Sequence, residues 1–120
     1  MHKLAVKFFR EGSNCSQSIL KAAEITYDIK VPDEWLDMCK GVGSGFGTGN
    51  FCCALVGAIM IFGYMFDEFD TKYMRIKLID LFFQKYGSTQ CAILTRKVND
   101  CEHVIADIAR MTQEIIEEYS

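Results

Sequence analysis

At 120 residues the chain is close to the commonest size of a single domain, so residues 1–120 are expected to form one domain around one core. Half of the residues are hydrophobic and only one is proline, a composition unlike that of disordered or linker-rich chains. The formal net charge of -3 and the lack of any Lys/Arg block argue against nucleic acid or an anionic membrane as the main partner.

The N-terminal stretch MHKLAVKFFREGSN carries Lys3, Lys7, Arg10 and Glu11, which interrupt each apolar run before it reaches the length of a signal-peptide core. A cytoplasmic location is therefore expected. Leu4, Ala5, Phe8 and Phe9 share one face of a short first helix that stops at Gly12. SNCSQ opens a second helix, with Ser13 or Asn14 as N-cap and Gln17 placed to close a capping box if Asn14 caps. That helix turns Ile19, Leu20, Ala22, Ala23 and Tyr27 inward and ends before Val31 and Pro32. PDEW then puts proline and two acids in the first turn of a third helix, which runs out at Gly41.

Glycine follows at every second position from Gly41 to Gly49, and Phe51 to Met65 reads as a central helix, apolar almost all round and expected to be buried. No charge lies between Lys40 and Asp67, yet the strongly apolar part, Phe51 to Phe66, falls short of the roughly 20 residues that span a bilayer. No membrane span is expected. DEFD at Asp67 to Asp70 caps a fifth helix over about Thr71 to Tyr86, with Met74, Leu78, Leu81, Phe82 and Tyr86 inward and Lys72, Arg75 and Lys77 outward. Gly87 and Ser88 end it, and Thr89 to Thr95 reads as a short connecting segment. Asn99 or Asp100 caps a last helix that shows Val104, Ile108, Met111, Ile115 and Tyr119 at helical spacing. The pattern predicts an all-α fold, a compact bundle of about five to six helices around a buried central apolar helix.

Six cysteines in a short chain suit a disulfide scaffold only in an exported protein, and no CxxC pair occurs, so reduced thiols or metal ligands are the better reading. On the predicted elements, Cys15, Cys52, Cys53 and Cys101 fall in first turns of helices, and Cys91 just beyond the GSTQ break. Cys39, beside Met38, is near a helix end. A helix N-terminus carries about half a positive charge and unpaired N–H donors, enough to lower a thiol pKa by roughly 1.5 units. If several such starts converge, repulsion between thiolates opposes ionisation unless a cation or cluster sits among them. The arrangement therefore calls for a metal, an iron–sulfur cluster or a switchable disulfide.

The glycine loop does not bind phosphate by any known rule. It gives no GxGxxG in any register and no GxxxxGK. Alternate glycines do permit positive φ and close backbone approach, so Gly45, Gly47 and Gly49 are candidate cofactor-binding positions whose N–H groups wrap whatever the central helix faces.

NCSQSIL at Asn14 to Leu20, GFGTGNFCCALVGAIM at Gly45 to Met60, YGSTQC at Tyr86 to Cys91 and VNDC at Val98 to Cys101 resemble the cysteine blocks of the C_GCAxxG_C_C family. That family comprises small proteins described as redox-active, with four shared cysteines, often encoded beside transporter genes and related to a domain of split-Soret cytochromes. The resemblance implies that Cys15, Cys91 and Cys101 are the first, third and fourth shared cysteines. In the central block, Cys-Gly-Ala-x-x-Gly aligns Cys52 as the shared cysteine and Cys53 in place of glycine, while the GCAxxG form selects Cys53. Cys52 is the favoured choice.

Simpler readings stand beside these. A free cysteine is often a small core hydrophobe, which suits Cys39. His103, two residues from Cys101, points away from it, and His2 lies at the terminus. Glu114, Glu117 and Glu118 read as solvated surface, and Met60, Phe62 and Met65 as core. The leading expectation is a thiolate site of Cys15, Cys52, Cys53, Cys91 and Cys101 that binds an iron–sulfur cluster or another thiophilic metal, zinc included. It would serve electron transfer or redox sensing with a partner protein the sequence does not name. The alternatives are a metal-free thiol–disulfide oxidoreductase and a non-catalytic interaction module; self-association is left open.

Overall fold

In the computed structural model, which describes residues 1–97 and 101–120 and the side chains outside 95–100, seven α-helices are found among the described residues and no strand. They are α1 (His2–Arg10), α2 (Cys15–Tyr27), α3 (Asp33–Met38), α4 (Cys53–Met65), α5 (Glu68–Tyr86), α6 (Cys91–Lys97) and α7 (Cys101–Tyr119). Helix α4 runs through the middle, flanked by α2, α5 and α7, while α1 closes the side between α2 and α7. Ala54, Leu55, Ala58, Ile61 and Phe62 of α4 meet Ile19, Leu20 and Ala23 of α2, Met74, Leu78 and Phe82 of α5, and Ile105, Ile108 and Ile115 of α7 in one core cluster.

Local sequence explains the boundaries. Asn14 is the N-cap of α2: its Oδ1 accepts from Gln17 N–H at 2.9 Å while Gln17 Oε1 accepts from Asn14 N–H at 3.0 Å, a complete capping box. Asp67 caps α5 by accepting from Asp70 N–H at 2.8 Å, so that helix starts at Glu68, three residues before the expected Thr71. Gly87, at φ 72°, ends it in the left-handed conformation that glycine adopts without strain. Buried Asp107 ties α7 to α5 by accepting from Lys85 at 2.8 Å and from the Tyr86 hydroxyl, with Arg110 at 3.2 Å.

Three expectations need correction. The segment after Gly87 is not merely a connection, since Cys91 opens the short helix α6. Its composition lacks the long apolar period from which a helix is read. Helix α4 is not buried all round: Met60 and Tyr64 share one face of its second half that the bundle leaves exposed, while Ile61 and Phe62 of the same turns are fully buried. Phe62 is core as expected, but Met60 is not. The proposed caps Asn99 and Asp100, with Val98, lie outside the described residues.

Candidate thiol site

The cysteines of the helix starts face one another across a cavity of about 240 Å³. Cys15, Cys52, Cys53, Cys91 and Cys101 all line it, with Phe9, Leu94, Val104 and Ile105 as apolar walls. Cys15, Cys53, Cys91 and Cys101 are each the first residue of a helix, and Cys52 is the N-cap of α4. Cys39 does not line the cavity; it is buried at the start of a 3-10 turn, Cys39–Val42.

Several local devices hold these starts together. The capping box fixes Cys15, and the same two side chains brace it against the next element: Asn14 Nδ2 donates to Cys39 O at 3.0 Å and Gln17 Nε2 to Leu36 O at 2.8 Å. Cys52 N–H donates to Thr89 O at 2.8 Å and Cys91 N–H to Asn50 O at 2.6 Å, around an isolated antiparallel bridge between Phe51 and Gln90. This bridge joins the starts of α4 and α6. On α7, the paired bonds of Arg10 to Glu102, at 2.7 and 2.9 Å, bring Cys101 beside α1 and its Phe9.

Gly57 sets the distance between α2 and α4. A Cβ there would lie 2.8 Å from Ser16 O and 3.0 Å from Ser16 Cα, so only glycine lets the two helices approach this closely. The consequence falls one turn earlier, at Cys53, whose sulfur meets the N-terminus of α2. The Cys15 thiol, acting as donor, is the main cause that lowers the Cys53 pKa to about 7; the backbone N–H groups of Ser16, Ser44 and Cys15 add to it, against the opposing effect of burial. Cys15, the donor in this pair, is pushed far upward. Cys52 goes the other way from its neighbour: burial raises it to about 11, only partly offset by the N–H groups of Leu55 and Ala54. Cys91 is also raised, first by burial and then by the nearby Cys53 charge.

The glycine loop takes a different part from the one its spacing suggests. Gly45, Gly47 and Gly49 do not line the cavity, whereas Gly43 and Ser44 do. Gly45 has φ 59°, and a Cβ on it would lie 2.5 Å from Asn50 N, so its role is to close the turn Gly45–Gly49, in which Asn50 N–H donates to Gly45 O at 3.0 Å. Ser44, with φ 55°, is turned by this loop toward Cys53. The sequence reading missed Ser44 and Ser16 because each contributes a backbone N–H, and side-chain chemistry does not signal that.

Five thiols are soft donors of the type that holds iron, zinc or a cluster. Among the described residues no three His, Cys, Asp or Glu side chains are grouped so as to hold one metal ion. The close pair is Cys15 and Cys53.

His103 is exposed on the face away from the cavity. No helix of the described residues is long and apolar enough to cross a membrane. Comparison with curated proteins and with solved structures gives no significant match. A family model described as "Putative redox-active protein (C_GCAxxG_C_C)" matches residues 13–115, a span that takes in every cysteine and the helix starts that carry them. The chain belongs to the C_GCAxxG_C_C family of redox-active proteins.

Proposed function

We propose that the chain is a two-electron thiol–disulfide redox protein in which Cys53 is the attacking thiolate and Cys15 the resolving thiol. The observation that supports it most is the meeting of the Cys15 and Cys53 thiols at the converging starts of α2 and α4, where the backbone N–H groups of Ser16, Ser44 and Cys15 also reach Cys53 and favour its thiolate. The Cys53 thiolate attacks one sulfur of a substrate disulfide, forming a mixed disulfide and releasing the first substrate thiolate. Cys15 passes its proton to that leaving group, and its sulfur then attacks Cys53 Sγ. A Cys15–Cys53 disulfide forms, the second substrate thiolate leaves, and the substrate has gained the two electrons the protein lost. A pKa near ambient pH suits this attack, since a much lower one would make the sulfur a poorer nucleophile.

Cys53 is only 3% exposed, so its substrate is a small disulfide or oxidant able to enter the cavity, not the surface of a folded protein. The test is to oxidise the reduced chain with a small-molecule disulfide, trap the remaining thiols by alkylation and map the products by mass spectrometry. The expected product is a Cys15–Cys53 crosslink with loss of two thiols, abolished by Cys53→Ser; in Cys15→Ser the mixed disulfide on Cys53 accumulates instead. A Cys53 that is still free after oxidation rules this reading out.

A second reading, an iron–sulfur cluster or other thiophilic metal, is favoured by one fact: five thiols, not two, open into the same cavity. As the described residues are arranged, they do not form a ligand set for one ion. Metal and acid-labile sulfide analysis of anaerobically prepared protein distinguishes the two, since stoichiometric sulfide supports the cluster.

A further inference from the structure

Helix α5 presents to solvent an apolar face that the bundle does not use. Phe69, Tyr73, Ile76 and Phe83 are 67%, 54%, 60% and 54% exposed. They follow one another at intervals of four, three and seven residues, and exposed Asp80 fills the gap in the row between Ile76 and Phe83. At about 100° per residue this row lies on the opposite side of the helix from Met74, Leu78 and Phe82, which are fully buried. A surface helix that only needed to cover the core would be polar there, as Lys72, Arg75 and Gln84 show its flanks to be. Spacing of three and four residues is the pattern of a helix that packs along another helix.

We infer that this face is where two copies of the chain associate, through α5 packed antiparallel on α5 about a twofold axis at Ile76. Charge selects both the partner and the direction. A parallel pair in register would press Asp80 against Asp80 within the apolar row, which is unfavourable. Antiparallel packing centred on Ile76 brings Phe69 of each copy to Phe83 of the other, and Asp80 of each to Lys72 of the other. The row is thus complementary to itself when reversed, as a twofold interface requires.

Its size suits a weak dimer that forms as concentration rises. Four side chains more than half exposed give an apolar strip of roughly 400 Å² per copy, about half of the ~800 Å² that a standard interface buries on each partner. The flanking residues Ile79 and Lys72 enlarge the contact when the helices meet. The proposal is independent of the thiol chemistry.

Sedimentation velocity of the reduced chain over a concentration series tests it. Wild type is expected to pass from monomer to dimer with concentration. Ile76→Glu should raise the dissociation constant by about thirtyfold or more, as loss of a central hot spot does, with helicity unchanged because the residue is on the surface. Asp80→Lys should weaken the dimer, and Lys72→Glu combined with Asp80→Lys should restore it; a parallel or unrelated contact would not give that rescue. A chain that is monomeric at every concentration overturns the proposal, and if that monomer also co-sediments with anionic phospholipid vesicles, the face is a lipid contact. A dimer unaffected by Ile76→Glu overturns it as well.

Discussion

The thiols of Cys52 and Cys53 are adjacent in the chain, yet the first is raised to about 11 and the second lowered to about 7. Both belong to the start of α4, so the dipole of their own helix does not separate them. The difference comes from α2: its first N–H groups and the Cys15 thiol reach Cys53 and not Cys52. The sequence reading favoured Cys52 from its alignment with the Cys-Gly-Ala-x-x-Gly form, and such a match carries no sign of the second helix that arrives beside Cys53. A thiol with a folded pKa near 7 is thiolate above that pH, so alkylation of Cys53 should rise about tenfold per pH unit up to about pH 7 and level off beyond it. Removing the donor with Cys15→Ala should move this midpoint upward, toward the ordinary 9.0, and slow alkylation at pH 7 by about tenfold. Peptide-resolved alkylation kinetics against pH measures both, and a wild-type midpoint at 9 or above would remove Cys53 from its proposed role.

Among the elements, α2 and α4 carry the site, and their separation depends on Gly57. An alanine in the middle of an exposed helix would gain up to about 1 kcal/mol in helix propensity over glycine, but here its methyl group meets the Ser16 backbone, which cannot rotate away. Gly57→Ala is therefore expected to destabilise the chain by about 1–3 kcal/mol, as overpacking does, and to raise the Cys53 pKa by shifting α2. Denaturant melts and the same alkylation profile check both effects together; unchanged stability would mean that the helices separate without cost. Periodicity made the helices themselves legible: the faces of α2, α5 and α7 are buried much as their spacing implies, and Asn14 with Gln17 signals the start of α2 outright. It did not reveal α6, with seven residues too short to show a period, nor the exposed face of α4 at Met60 and Tyr64, because a helix that is apolar all round does not say which of its faces the neighbours leave uncovered.

For the whole molecule, the site is one end of the core: Ala54, Leu94, Val104 and Ile105 line the cavity and belong to the core cluster, while Phe62, Phe82, Leu78, Ile108 and Ile115 continue that cluster away from the cavity. Most of the apolar burial therefore does not involve the thiols, and the fold is not expected to need a bond among them. Such a bond would nevertheless add to stability. A crosslink between residues 15 and 53 closes a long loop of the unfolded chain and stabilises the native state by about 4 kcal/mol on the chain-entropy argument, less whatever strain the closure imposes. At about 4 °C per kcal/mol for a chain of this length, the oxidised protein should melt up to about 15 °C above the reduced one. Cys15→Ser and Cys53→Ser should both remain helical, and both should lose the difference between oxidising and reducing conditions, while Cys39→Ser should keep it. Calorimetry of the four proteins with and without reductant makes the comparison. A wild-type melting temperature indifferent to oxidation, despite a mapped Cys15–Cys53 bond, would mean that strain in the oxidised state cancels the entropic gain, and such a disulfide would be a strong oxidant, not a structural link.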